Sequence, residues 1–297
     1  AYTKERAMPS TITHELVATE AQKRLPDQIQ NVIRSAPDVY FLGAQGPDPF
    51  FFATASKEGQ NFGKFLHRSH VYELFCLFEQ FLEGLDAAER DIPLAYCLGY
   101  VTHYCADVAF HPFVYRYMEL NKLRPREHQR IENDWDVYFS RKINGRELEN
   151  YPFPDVTKLE DDVKPLWKYV SGELGKKIPH GTMKSALIGF QQFLRVFHGK
   201  HCYTAQRRWA FFDKLFRIRS LSCLYPARKP RETVLRGEEF ETAAEIEGMP
   251  PAKTADDLFE RAVSTSVYRM MLFYDHIGGA PLPREQFDRH LLTGKHL

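Results

Sequence analysis

The sequence has no apolar run approaching the roughly 18 residues that a membrane-spanning helix needs. It also has no surplus of either charge: 40 Lys and Arg stand against 39 Asp and Glu, for a formal net charge of +1. No global field therefore points to nucleic acid or to a membrane. Cysteine is scarce. Cys76, Cys97, Cys105, Cys202 and Cys223 are odd in number and form no CxxC, which argues against a disulfide framework and a thiolate zinc site. Reduced cysteines packed in helices, in a reducing compartment, are expected instead. The first residues, AYTKERAMPS, are polar and lack the apolar core of a signal peptide. A cytoplasmic protein is expected, with secretion after processing as the alternative. Strand signals are few and no internal repeat is evident.

What the 297 residues do contain is helical periodicity, with 43% apolar and 27% charged residues. A helix is expected from Ile12 to Leu25, with Ser10 or Thr11 near its N-cap. A Gly- and Pro-rich loop, GAQGPDPFFF, follows from Gly43 to Phe52. A long helix is expected over about 61–85, and an almost wholly apolar one over about 91–110. Pro125 opens another. Helices near 158–175, 182–198, 203–219 and 255–276 follow, with Gly199 and Gly278 at their C-terminal caps. Residues from about 220 to 253 read as irregular. The expectation is one all-α domain over residues 1–297.

Within this background stands a ladder of histidine and aspartate. His103, Asp107 and His111 in GYVTHYCADVAFHP are spaced four apart, so they share one face of a helix. His128, Glu132 and Asp136 repeat the spacing in REHQRIENDWD. A charged Asp107 among apolar neighbours costs several kcal/mol unless cations or donors surround it. A divalent metal would compensate it, and imidazole with carboxylate suits zinc. The alternative is a buried Asp–His pair that merely braces two helices. His14, Asp48, His67 and His70 are further donors in the same part of the chain. Asp136 reads as a support behind the ligands or a surface residue. Other helical metal folds do not fit. Di-iron bundles need two ExxH motifs, and no His here has Glu three positions before it. HExxH and the dipeptide HD are absent as well.

These motifs resemble the zinc-dependent phospholipase C family, which shares its all-α fold with the S1/P1 nucleases. The resemblance lies in ITHELV around His14, GAQGPDPFFF around Asp48, a histidine in FGKFLHRSH, HYCAD at 103–107, His111, and HQRIE at 128–132. It covers about residues 1–140, the expected metal-site half, while 141–297 form a helical C-terminal half. It implies two or three zinc ions. Asp48, His67 and His103 would hold one, Asp107 would bridge it to a second that also takes His14, and His111, His128 and Glu132 would hold the third. His70 is the alternative to His67, which fits the family's placement better. Secreted members complete one site with an N-terminal tryptophan, whereas the first tryptophan here is Trp135.

The implied reaction is hydrolysis of a phosphate ester by a metal-activated water attacking in line. Asp48 would be a ligand that also orients that water. Phe50, Phe51 and Phe52 would anchor the loop or line a substrate pocket. A small-molecule or lipid phosphate ester is the expected substrate. A nuclease of the same fold and a non-catalytic metal-binding protein are the alternatives. The basic stretch Arg207, Arg208, Lys214, Arg217, Arg219, Arg228, Lys229 and Arg231 reads as a solvated face balanced by the acids from Glu238 onward. Its functional reading is contact with anionic lipid or nucleic acid.

Overall fold

The computed structural model describes residues 10–216 and 222–296. Among them it has thirteen α-helices, five short 3-10 turns and no strand, so the chain is all-α. The helices are α1 (Thr11–Gln22), α2 (Asp27–Ser35), α3 (Pro37–Ala44), α4 (Lys57–Leu66), α5 (Val71–Glu83), α6 (Ala87–Leu120) and α7 (Glu127–Asn144). They continue as α8 (Glu160–Glu173), α9 (Thr182–Phe197), α10 (Cys202–Phe216), α11 (Glu238–Ala244), α12 (Ala255–Ile277) and α13 (Arg284–Phe287). The N-terminal residues and Arg217 and Arg219 of the basic stretch lie outside the described residues. One continuous apolar core runs from Ile12 to Leu291.

The centre of the molecule is α6. Every residue from Pro93 to Val114 is buried, which explains a composition that is apolar nearly all round. It packs against α1, α2, α3, α11 and α12. The helix continues well past the expected end near Phe110. His111-Pro112 looks like a stop in sequence, but proline's φ is helical, and the packing of α6 on every side outweighs the lost bond to the Val108 carbonyl and the ring's crowding against it. Close approach of α3 depends on two glycines. A Cβ on Gly43 would overlap the Tyr96 carbonyl oxygen, and one on Gly99 would overlap that of Tyr40. This contact sets the turn after α3 directly above His103.

Three expectations are corrected. The long helix over 61–85 is two helices, α4 and α5, separated at 67–70, where His70 adopts a left-handed conformation with φ 59°. The apolar pattern runs through this break, so periodicity alone does not reveal it. The Gly43–Phe52 segment is no plain loop: Gly43 and Ala44 end α3, and Asp48–Phe52 form a 3-10 turn. The segment expected to be irregular contains α11.

Asp136 has a definite role. It is fully buried, and its Oδ1 accepts hydrogen bonds from Ser10 Oγ, Thr13 N and Thr13 Oγ1, each at 2.8 Å. Ser10 therefore makes no cap of its own. A carboxylate carried by α7 caps the first turn of α1 instead, where the helix dipole favours negative charge. This fixes α1, and with it His14, against the rest of the site.

Candidate metal centre

Five parts of the chain deliver eight donor side chains to one place. His14 comes from the first turn of α1 and Asp48 from the start of the 3-10 turn. His67 stands at the C-terminal end of α4. The buried stretch of α6 carries His103, Asp107 and His111, and α7 carries His128 and Glu132. All eight are buried. Their ligating atoms form three groups, His14–His103–Asp107, Asp48–His67–His103 and His111–His128–Glu132, within each of which the atoms lie within 4.8 Å of one another.

The groups join into a chain. His67 Nε2 is 3.0 Å from Asp48 Oδ1, and His103 Nδ1 is 4.0 Å from Asp48 Oδ2. The other ring nitrogen of His103 is 3.3 Å from Asp107 Oδ2, and His14 Nε2 is 3.4 Å from Asp107 Oδ1. His111 Nδ1 approaches Asp107 Oδ2 at 3.5 Å, and its Nε2 lies 3.6 Å from Glu132 Oε1. His128 Nε2 is 3.0 Å from the same Glu132 oxygen. Two backbone carbonyls orient rings: Gly63 O is 2.7 Å from His67 Nδ1, and Leu291 O is 3.1 Å from His111 Nδ1. Gly46 roofs the ring of His103. Its φ is +54°, and a Cβ there would overlap the imidazole.

His70 lies elsewhere. It is exposed and stacks on Phe65 at 5.2 Å between ring centroids, so the break between α4 and α5 separates the two histidines that sequence reasoning left open. The Phe run divides as well. Phe50 and Phe52 anchor the turn in the core, against Trp167 and against Phe190 and Phe193, whereas Phe51 covers His67 at 5.0 Å.

Do these residues suit a metal? Both ring nitrogens of His103, Asp107 Oδ2, Glu132 Oε2, His14 Nδ1 and His128 Nδ1 are buried without a hydrogen-bond partner. Each such atom costs about 1–3 kcal/mol if left unsatisfied. Concentrating so many in one place is consistent with a site built for cations. Without a cation the cluster balances its charge with protons. Burial pushes the His111 imidazole down, but Asp107 and Glu132 outweigh it and raise its pKa to about 9. His14 and His67 are raised in the same way, against burial, by Asp107 and Asp48 respectively. For His103, the most enclosed ring, burial prevails and the pKa is lowered. Burial pushes the Asp107 carboxyl up, but the neighbouring imidazoles of His103, His111 and His14 hold it well below the usual range. Five imidazoles and three carboxylates, enclosed and with six of their polar atoms unsatisfied, make a donor set that suits zinc.

A cavity of about 540 Å³ opens onto this cluster at His67. Its walls include Phe51, Tyr115, Lys64, Arg68, Arg116 and Lys295, with Glu119 and Glu247 opposing them, and His290. Sequence reasoning offered Phe51 as a pocket residue and missed the other walls. His290 has no acid four positions on to mark it in the sequence, and its neighbours here come from distant parts of the chain. The profile of the family described as zinc dependent phospholipase C matches residues 13–176. The chain belongs to the zinc-dependent phospholipase C family. No curated protein and no solved structure gives a significant match. The family match contains all eight donors, and zinc is the metal that the family implies. The cavity walls contributed by His290, Leu292, Thr293 and Lys295 lie beyond the matched residues. No helix among the described residues is long and apolar enough to cross a membrane.

Proposed function

We propose that this member of the family hydrolyses phosphate esters of the phospholipase C kind, with two or three zinc ions held by the eight buried donors. The observation that carries this reading is the arrangement of three adjoining donor groups, reached through His67 from a cavity with cationic walls. Asp48, His67 and His103 would hold one ion. His14 and Asp107 would hold a second, with Asp107 shared between sites, and His111, His128 and Glu132 would hold the third. Zinc supplies Lewis acidity and brings the pKa of water near neutrality.

The protein's own groups do the remaining work. Lys64, Arg68, Arg116 and Lys295 receive the anionic phosphate ester and orient it toward the donors. Asp48, at the start of the 3-10 turn, orients the attacking water and accepts its proton, while His67 holds one of its oxygens. Phe51 shields His67 from bulk water. Gly63 O and Leu291 O hold the rings of His67 and His111 in the orientation that directs their Nε2 atoms inward.

A nuclease would need a run of stacking side chains along a strand-binding groove. Phe51 and Tyr115 are the only Phe, Tyr or Trp among the cavity's described lining residues, which favours a single ester group over a strand. The test compares zinc-loaded wild-type protein with His103→Ala on a soluble phosphodiester, a phospholipid in detergent and single-stranded DNA. Zinc-dependent turnover of the esters that His103→Ala abolishes together with metal binding supports the reading. Turnover confined to DNA favours the nuclease. Metal binding without turnover on any substrate overturns it in favour of a non-catalytic protein.

A further inference from the structure

Helix α10 faces the wrong way for a helix of a protein surrounded by water. Its buried residues are Cys202, Tyr203 and the acidic Asp213. Its outward residues are large and apolar: Phe211 is 64% exposed, Phe216 62%, Leu215 61%, Phe212 46% and Trp209 37%. At 3.6 residues per turn these five side chains fall within one arc of about half the helix circumference. Their rings touch one another, with Trp209–Phe212 centroids 5.8 Å apart and Phe212–Phe216 stacked at 6.4 Å. A contiguous exposed patch of this kind marks an interaction site.

Charge identifies the occupant. Arg208 lies within the apolar arc, and Arg207 and Lys214 flank it. All three are exposed and make no ion pair among the described residues. A second copy of the chain packed face to face on α10 would bring these cations against their own counterparts, which like-charge repulsion opposes. An anionic lipid surface complements them. Aromatic side chains with interleaved cations are also what an interfacial helix presents to the boundary between headgroups and acyl chains.

We propose that α10 is a docking surface that lays its outward aromatic face into an anionic lipid bilayer. The helix is tied to the metal centre. Asp213 Oδ2 accepts a hydrogen bond from Ser222 N at 3.0 Å, and Cys223 O accepts one from Asn133 Nδ2 at 3.0 Å. Asn133 directly follows Glu132 in α7. Docking itself stands on the residues of α10; its use in presenting lipid to the cavity rests on the phosphate-ester reading above.

Trp209 provides the probe, because Trp135 and Trp167 are buried. Zinc-loaded protein is mixed with vesicles of phosphatidylcholine, with and without phosphatidylserine, and followed by co-sedimentation and by fluorescence quenching with brominated lipid. Binding should require phosphatidylserine and quench Trp209. The triple change Phe211→Ser, Phe212→Ser, Phe216→Ser should abolish it. Arg207→Ala and Arg208→Ala should each weaken it about fivefold. Circular dichroism and zinc-dependent hydrolysis of a soluble ester should be unchanged in all of these variants. Failure of wild type to bind either vesicle overturns the proposal, and so does a wild-type dimer that the triple change dissociates. Absence of hydrolysis with vesicle binding intact would remove the phosphate-ester reading and leave the docking surface standing.

Discussion

His103 Nε2 and Asp107 Oδ2 lie 3.3 Å apart, one turn along α6, and neither atom has a hydrogen-bond partner. Two groups that approach without bonding to each other are arranged to meet a third. Asp107 also neighbours His14 and His111, so it links the three donor groups. Asp107→Asn keeps the shape and removes the charge. Metal analysis and kinetics should show a loss of bound zinc and a fall in hydrolysis of at least about 100-fold, the upper end of what loss of a mere supporting contact produces.

Gly46 is the second sensitive point. Ala at this position meets both a left-handed φ and the ring of His103. Gly46→Ala should destabilise the protein by about 1–3 kcal/mol and reduce activity, because the displaced imidazole serves two donor groups. Calorimetry together with an ester assay measures both effects. An unchanged melting temperature with full activity would show that the close approach has no consequence.

Asp136 predicts an effect at a distance. Asp136→Ala removes the cap from α1 and orphans three donors, at a cost of about 2–3 kcal/mol. Since His14 lies on the same turn of α1, zinc occupancy at its group should fall, while the group at His111, His128 and Glu132 keeps its affinity. Competitive chelator titration separates the two classes of site.

The cationic wall predicts a binding effect. Arg68→Ala should raise KM for an anionic ester roughly tenfold and leave kcat nearly unchanged, as expected of uniform binding. A fall in kcat alone would place Arg68 in the chemical step instead.

Alkaline pH should expose a buried thiol. Burial, with Glu127 nearby, raises the Cys223 thiol from 9.0 to about 11. The folded state holds this proton more tightly than the unfolded chain does. Its contribution to stability is therefore present below about 9 and is lost as pH rises through about 11. Thermal unfolding of wild type should lose more than that of Cys223→Ala across this range.

The ladders were legible in the sequence because a four-residue spacing on a helix maps directly onto one face, and α6 and α7 are regular there. The all-α class was legible for the same reason, since periodicity dominates the chain. The break that separates His67 from His70 was not, because no Gly or Pro marks it and a left-handed histidine carries no pattern. Helices α2 and α3 were missed beside their Gly- and Pro-rich neighbour. Asp136 kept the ladder spacing yet turned to α1, a choice made by tertiary contact with Ser10 and Thr13. The cavity walls draw on residues from Phe51 to Lys295. No local spacing could have assembled them.

The central claim is that the eight buried donors form a zinc centre. Its most direct measurement is metal content per chain in purified protein, by mass spectrometry, before and after mild chelation. Two or three zinc ions per chain, with melting temperature and ester hydrolysis lost on chelation and restored by zinc, is the predicted result. Protein that contains no zinc, takes up none when it is supplied and melts at the same temperature either way would contradict it.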